Sequence, residues 1–344
     1  MKIKHLFEEE NESLDSLYDQ IINSEFFEIN LKDWFESLDL SDIESSWEIV
    51  KNDIPMLYHG GKLKSGEVNN IVYRQKPMDT PNVIHNTIND ISNDKLGAQI
   101  RSMVFATLSP SQASEYGEVF RVFPLSSDYE LYYSTLVDDM YVSSKIFNSV
   151  KYRNNISSML KDFSKTDKVK SLLNKIDALF GGYIKPDIGR YINKHISNYV
   201  DTIFIRFISN AKLTELNDFD FVINEAVIKA AYREMFNVLT MMYSLEKISE
   251  LEGEYYDQFE KLLYELTILT LEAFRDYKEQ WIVSESKKYV DSIEKTEDLK
   301  DIIAQNDRTE IMLPKGPYAV LQNNGVGGDL YGLLEYYIKN KNNS

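Results

Sequence analysis

The chain has 344 residues, 43% hydrophobic and 27% charged, so it can bury a sizeable core and has the composition of a globular protein. Its formal net charge of −17 argues against non-specific nucleic-acid binding, which requires lysine and arginine to neutralise phosphates. It has no cysteine and only four histidines, which excludes disulfides, cysteine nucleophiles and a histidine-based metal site.

The first 52 residues are acidic and carry spaced aromatic side chains. Two helices are predicted here, the second beginning near Ser41, with Asp42 and Glu44 placed to stabilise its N-terminus. We expect this segment to pack on the following domain and assign it no chemistry. It does not resemble a secretory signal, and no later apolar run is long enough to span a bilayer. The sequence therefore predicts a cytoplasmic protein without a membrane partner.

Residues 53–127 consist of short apolar runs broken by glycine and proline, a pattern typical of strands and turns. Strands are predicted at 56–59, 68–73, 103–108 and 118–125. Helical spacing predicts a helix over 82–96 that stops at Gly97, and Ser109-Pro110 predicts the start of a short helix before a turn at Tyr116-Gly117. This order of elements predicts a compact α+β unit.

Residues 128–300 contain few glycines, and apolar residues recur there at intervals of three and four, which predicts a helical bundle. Strand patterns return in residues 301–344, at 310–313 and 318–321, before a last helix at 330–337. The predicted fold class is therefore α+β, in which a large helical insertion at 128–300 interrupts a β-rich domain.

Three separate segments place polar and aromatic residues at predicted strands. Tyr58-His59-Gly60 closes the first strand, Phe105-Ala106-Thr107 lies in a later one before Ala113 and Tyr116, and Glu310 opens a late strand. In type and order they resemble the ADP-ribosyltransferases of the diphtheria-toxin and poly(ADP-ribose)-polymerase class, whose site is named for a His, a Tyr and a Glu on separate strands. The resemblance covers roughly residues 54–125 and 305–322.

The resemblance implies a split β-sheet domain that binds NAD, with Glu310, His59 and Tyr116 as its catalytic set. Glu310 would stabilise the positive charge that develops on the ribose as nicotinamide leaves. His59 would hold a ribose hydroxyl, the Gly60 backbone would approach the carboxamide, and Phe105 and Tyr116 would enclose the nicotinamide ring. The implied NAD contacts are Tyr58, His59, Gly60, Arg74, Phe105, Thr107, Ala113 and Tyr116.

The branch of this superfamily that modifies arginine has a different pattern. It opens its first strand with Arg and its second with a Ser-Thr-Ser type motif, whereas Arg101 and Ser102 are adjacent here. Arg308 stands where that branch has a second Glu, two residues before Glu310. These departures argue against arginine as the acceptor. Phe105 also replaces the Tyr that the family usually shows.

A wider set of positions also resembles proteins of large tailed phages. These positions are Arg74, Pro77, Asp79-Thr80, His85, Arg101-Ser102, 105–107, Tyr116-Gly117 and Phe123-Pro124. This resemblance implies an enzyme that works in the host cytoplasm and modifies a host protein or nucleic acid as the acceptor.

Two other functions fit the same sequence. If water is the acceptor, the pocket makes the protein an NAD glycohydrolase. If activity has been lost, the chain is a binding, inhibitory or structural phage protein whose exposed helical face at 222–281 is the working surface, and its acidic charge suits docking on basic partners. Each residue also has an ordinary structural role: His59 in a turn, Tyr116 at a helix end and Glu310 at a strand start.

Overall fold

The computed structural model describes residues 14–39, 41–72, 82–136, 162–163, 166–179, 223–243, 248–249, 251–305, 309–322 and 328–343. The chain divides into two compact units. The first consists of 1–79, 88–143 and 287–344, and the second of 80–87 and 144–286.

The first unit contains two four-stranded antiparallel sheets. Their strands are β1 (Leu57–Gly61), β2 (Glu67–Ile71), β3 (Val104–Ala106), β4 (Glu118–Pro124), β5 (Leu131–Ser134), β6 (Ile293–Thr296), β7 (Ile311–Leu313) and β8 (Gly316–Gln322). The strand order is β1-β4-β8-β2 in one sheet and β3-β7-β5-β6 in the other. The described residues therefore form a mixed α and β protein, in agreement with the predicted α+β class.

The two sheets meet at one bridge between Tyr58 in β1 and Thr107, which follows β3. Each residue's backbone N–H donates to the other's carbonyl oxygen, at 2.8 and 2.9 Å. The chain also crosses between the sheets at Pro314-Lys315, because β7 belongs to one sheet and β8 to the other. These two links bring the Tyr58 strand and the β7 strand into one region.

Strands β5 and β6 pair with each other inside residues 128–300, which the sequence analysis assigned to a helical bundle. Both are short, and residues 131–134 are buried along their whole length, so no alternation of polar and apolar residues marks that strand. The second compact unit accordingly takes only residues 144–286 of this range, together with residues 80–87 from earlier in the chain.

The N-terminal helices belong to the first unit. Residues 14–22 are helical, and α1 (Glu25–Asn30), α2 (Lys32–Glu36) and α3 (Ile43–Asn52) follow. The Asp42 side chain accepts a hydrogen bond from the Ser45 backbone N–H and so caps α3 where the sequence predicted a helix start. Aromatic residues of this segment, including Phe26, Phe27 and Trp47, are buried in the same core as the strands.

Asn30 attaches this segment to the C-terminal half of the chain. Its amide nitrogen donates to the Tyr129 hydroxyl and the Glu297 carbonyl, at 2.8 and 3.0 Å, and its oxygen accepts from the Leu299 N–H at 2.7 Å. Leu299 opens α9 (Leu299–Ile303). The last helix, α10 (Asp329–Asn343), also packs against α3 and β8. The N-terminal segment is therefore part of the β-rich unit's core.

One helix precedes β3 in the chain and another follows it. As predicted, α4 (Asn82–Leu96) stops at Gly97, whose φ of +71° is the left-handed conformation that ends many helices. A 3₁₀ turn (Ile100–Ser102) then leads into β3. The short α5 (Pro110–Ser114) begins after Ser109, whose hydroxyl accepts from the Gln112 N–H, again as predicted.

The second unit is helical where it is described. It contains α6 (Asp167–Leu179), α7 (Glu225–Tyr243) and most of α8 (Glu254–Asp291), and α8 begins directly after Gly253 at a φ of +53°. Its core includes Leu172, Leu239, Phe259 and Leu263. Over the described residues, no helix combines the length and apolar character needed to cross a membrane.

Candidate functional site

His59 lies in β1, and its ring is fixed by the neighbouring strand. Its Nδ1 atom is 2.7 Å from the backbone carbonyl oxygen of Phe105 in β3. A carbonyl can only accept, so Nδ1 carries the proton, and in the neutral ring Nε2 is the acceptor nitrogen. Gly61 leaves room for this ring, because a Cβ at Gly61 would lie 2.7 Å from Nε2.

Gly60 is in contact with the end of α5. A Cβ at Gly60 would lie 1.8 Å from the Ala113 carbonyl oxygen and 3.0 Å from the Tyr116 Cβ. Gly117 makes a similar close approach, since a Cβ there would be 3.2 Å from the Gly61 nitrogen. The glycines thus allow α5 and its following turn to lie directly on β1.

The backbone N–H and C=O of Gly60 lie on the outer edge of β1, on the side opposite β4. Strand polar groups alternate between the two edges, and the Tyr58 N–H and C=O point to Thr107. Gly60, two residues later, directs its N–H and C=O to the same edge and away from β4. In the register of β1 with β4, Gly60 therefore places one donor and one acceptor on this edge of β1.

Tyr58 itself is a core residue. It is buried, and its ring lies 5.2 Å from the guanidinium of Arg121, the residue opposite it in β4. Arg121 is fully buried as well. Burial lowers the pKa of its guanidinium, and the Tyr58 side chain offsets only part of this effect. The Tyr58 side chain therefore supports β1 from inside, and its backbone forms the bridge to Thr107.

Thr107 and Ala113 hold α5 in place. The Thr107 hydroxyl donates to Gln112 Oε1 at 2.9 Å and accepts from the Ser109 N–H at 3.2 Å. Both Thr107 and Ala113 are buried. Tyr116, one residue past the C-cap of α5, differs from them because 48% of it is exposed. Of the residues around this helix, Tyr116 presents the most accessible aromatic ring.

Glu310 directly precedes β7. In the antiparallel pairing of β3 with β7, Ala106 is opposite Ile311, so the next positions outward, Thr107 and Glu310, lie side by side. Thr107 is in turn bridged to Tyr58, the neighbour of His59. The Glu310 side chain is 15% exposed, so a carboxylate lies at this strand end with limited access to solvent.

Arg101 connects Glu310 with Phe105. Its Nη1 is 3.6 Å from Glu310 Oε2, and its Cζ is 4.6 Å from the centre of the Phe105 ring. The guanidinium is only 4% exposed. Asn89 in α4 accepts from the Arg101 backbone N–H at 2.8 Å and donates to the Ser102 hydroxyl at 2.9 Å, so it fixes the 3₁₀ turn that carries this arginine.

The structure therefore brings most of the expected residues to one region, where β1, the end of β3, α5 and the start of β7 meet. These residues are His59, Gly60, Phe105, Thr107, Ala113, Tyr116 and Glu310. Tyr58 contributes its backbone there but buries its ring, and Arg74 lies outside the described residues. Sequence reasoning missed Arg101 as the partner of Glu310. Its position among the apolar residues Ile100, Met103 and Val104, next to Ser102, was the available signal.

The site combines a partly enclosed carboxylate, a histidine with a fixed tautomer, a buried guanidinium and two aromatic rings. Such a set can bind a polar ring compound and stabilise a positive charge next to Glu310. No protein-family model, curated protein or solved structure matches the chain. The chemistry of these residues is therefore the basis for assigning a function.

Proposed function

We propose that the protein is a mono-ADP-ribosyltransferase that transfers ADP-ribose from NAD to a macromolecular acceptor, with the ADP-ribosyltransferase fold formed by the two sheets of the first unit. The observation that carries this proposal is the adjacency of Glu310 and Thr107 at the ends of β7 and β3, next to the strand that holds His59. Segments from distant parts of the chain thus supply a carboxylate and an imidazole to one site.

The reaction breaks the bond between the nicotinamide nitrogen and ribose C1′. The bonding electrons leave with nicotinamide, which becomes neutral, and the ribose acquires oxocarbenium character. Glu310 stabilises this charge in the transition state. An acceptor oxygen or nitrogen then forms a bond to C1′ and releases its proton, which balances the transfer.

The remaining residues fit the two ends of nicotinamide riboside. His59 Nε2 accepts a hydrogen bond from a ribose hydroxyl, because Nδ1 is already committed to the Phe105 carbonyl. The Gly60 N–H and C=O, which face the Thr107 edge, suit the carboxamide oxygen and amide. Phe105, whose ring centre lies 4.6 Å from Arg101 Cζ, and the half-exposed Tyr116 supply the aromatic rings that enclose nicotinamide.

Product analysis tests the assignment. NAD labelled in its ADP-ribose half is incubated with the protein in host-cell lysate, and both free nicotinamide and labelled macromolecules are measured. Glu310→Gln is compared with Glu279→Gln, which changes an exposed glutamate of α8. Label on a protein or nucleic acid that Glu310→Gln abolishes and Glu279→Gln retains supports a transferase. Nicotinamide release without transferred label makes the protein an NAD glycohydrolase instead.

A second candidate is a binding protein that acts through its second unit. A groove between α7 and α8 is lined by four aromatic side chains, Tyr232, Phe236, Tyr256 and Tyr264, and Tyr264 is half exposed. Exposed aromatic residues are typical of binding surfaces. If this surface carries the function, Tyr264→Ala removes any growth defect that expression of the protein causes, and Glu310→Gln leaves that defect intact.

A further inference from the structure

Arg101 carries a charged side chain that is almost completely buried. Its side chain is 4% exposed, and burying a guanidinium is unfavourable unless its charge and hydrogen bonds are compensated. The turn that carries it is fixed by Asn89, and Ser92 accepts from the Ile100 N–H at 3.3 Å. A buried arginine held this firmly is costly for packing alone, which an apolar side chain provides better.

The contacts of Arg101 connect two residues of the proposed site. The guanidinium forms an ion pair with Glu310 and lies over the ring of Phe105. Arginine suits this double contact because its group is planar and always charged, so one face can stack on a ring while its edge pairs with a carboxylate. A lysine at this position would keep the positive charge, but it has no planar group that could stack on the Phe105 ring.

We propose that Arg101 is a positioning residue for the reaction: it holds the Glu310 carboxylate in the orientation that faces the ribose, and it fixes the Phe105 ring. This inference rests on the proposed function. Arg101 acts through Glu310 and does not itself touch the substrate. Displacement of a reacting group by about 1 Å can lower a rate about 100-fold, so loss of this contact has a measurable effect.

A double-mutant cycle separates positioning from a merely structural role. Nicotinamide release is measured for the unmodified protein, Arg101→Lys, Glu310→Gln and the double variant. We expect Arg101→Lys to lower kcat about 10- to 100-fold with a much smaller change in the KM for NAD. In the Glu310→Gln background we expect Arg101→Lys to have little further effect on kcat, because residues that act as a unit are not additive.

The outcomes distinguish the inference from the function on which it rests. If the unmodified protein releases nicotinamide and Glu310→Gln releases it about 10²- to 10³-fold more slowly, the proposed function stands. If the fold-losses in kcat of the two single variants multiply in the double variant, or if kcat rises in Arg101→Lys, the positioning role alone is overturned. If the unmodified protein and Glu310→Gln release nicotinamide equally, both proposals are withdrawn.

A second variant covers the case in which Arg101→Lys does not fold. Asn89→Ala loosens the 3₁₀ turn and leaves the guanidinium itself intact. It is expected to lower kcat in the same direction and to be non-additive with Glu310→Gln. Arg275→Lys, which changes an exposed arginine of α8, is the matched control for the exchange of arginine by lysine and is expected to leave kcat unchanged. If the fold-loss in kcat caused by Asn89→Ala is the same with and without Glu310→Gln, the inference is overturned.

Discussion

The Nδ1 atom of His59 lies 2.7 Å from the carbonyl oxygen of Phe105, so the strand that carries one site residue fixes the ring of another. The two residues belong to different sheets, β1 in one and β3 in the other. The contact therefore crosses the junction between the sheets. It sets the histidine tautomer, with the proton on Nδ1 and Nε2 as the acceptor nitrogen, which is the basis of the first prediction.

Gly61→Ala is expected to displace the His59 ring without removing it. The added Cβ would lie 2.7 Å from Nε2, and a side chain can move away from such a contact more easily than backbone can. A lost hydrogen bond costs about 1 kcal/mol net, so the KM for NAD should rise about fivefold to tenfold while the melting temperature changes little. In a His59→Ala background the same exchange should have no effect on KM. A multiplicative effect there would show that Gly61 acts independently of His59.

Gly60→Ala is expected to destabilise the first unit. Its Cβ would lie 1.8 Å from the Ala113 carbonyl oxygen, so α5 must move away from β1 or the strand must shift. Overpacking of this kind costs about 3 kcal/mol, which should appear as a clear drop in melting temperature. Gly253→Ala is the matched control, because nothing lies near its Cβ and only its positive φ adds strain. Equal melting temperatures for the two variants would contradict the close packing of α5 on β1.

Tyr133 gives a prediction about stability and pH. Its hydroxyl donates to Glu294 Oε2 at 2.9 Å, and burial together with this carboxylate raises the tyrosine pKa from 10.0 to about 12. Because the folded state keeps the proton longer, its contribution is fully present below pH 10 and is lost as the pH rises from 10 to about 12. The stability difference between the unmodified protein and Tyr133→Phe should therefore narrow across this window.

The comparison is made by measuring unfolding free energies of both proteins at each pH, so that groups common to both cancel. Glu294→Gln is the control, because it removes the charge and leaves burial as the main cause of the raised pKa. In a Glu294→Gln background, the difference in unfolding free energy caused by Tyr133→Phe should reach its high-pH value at a lower pH. A constant difference between pH 8 and 12 would contradict the raised pKa of Tyr133.

The sequence predicted elements whose signals are local. The helix over residues 82–96 is marked by its helical spacing and by Gly97 at its end, and α5 is marked by Ser109-Pro110, so patterns within each segment identify both. The alternation of β4 also placed Arg121 on the same face as the apolar Val119 and Phe123. The structure buries Arg121 fully, but it also buries the opposite face at Phe120 and Val122, so the alternation did not indicate this burial.

Features that depend on distant contacts could not be predicted. Strands β5 and β6 pair across most of the second unit's sequence, and neither carries a local strand signal. The contact between Arg101 and Glu310 depends on the register of β3 against β7, which no single segment encodes. The local residue types of the site were therefore accessible from sequence, but the partner that orients Glu310 was not.

The most direct test of the central claim is the release of nicotinamide from NAD by the purified protein. The unmodified protein and Glu279→Gln should release it at the same rate, and Glu310→Gln should be slower by about 10²- to 10³-fold, as expected when a charge-stabilising group is removed. Circular dichroism of each variant confirms that folding is retained. Equal release by the unmodified protein and Glu310→Gln, or no release by either, would contradict the assignment of Glu310 as the catalytic carboxylate.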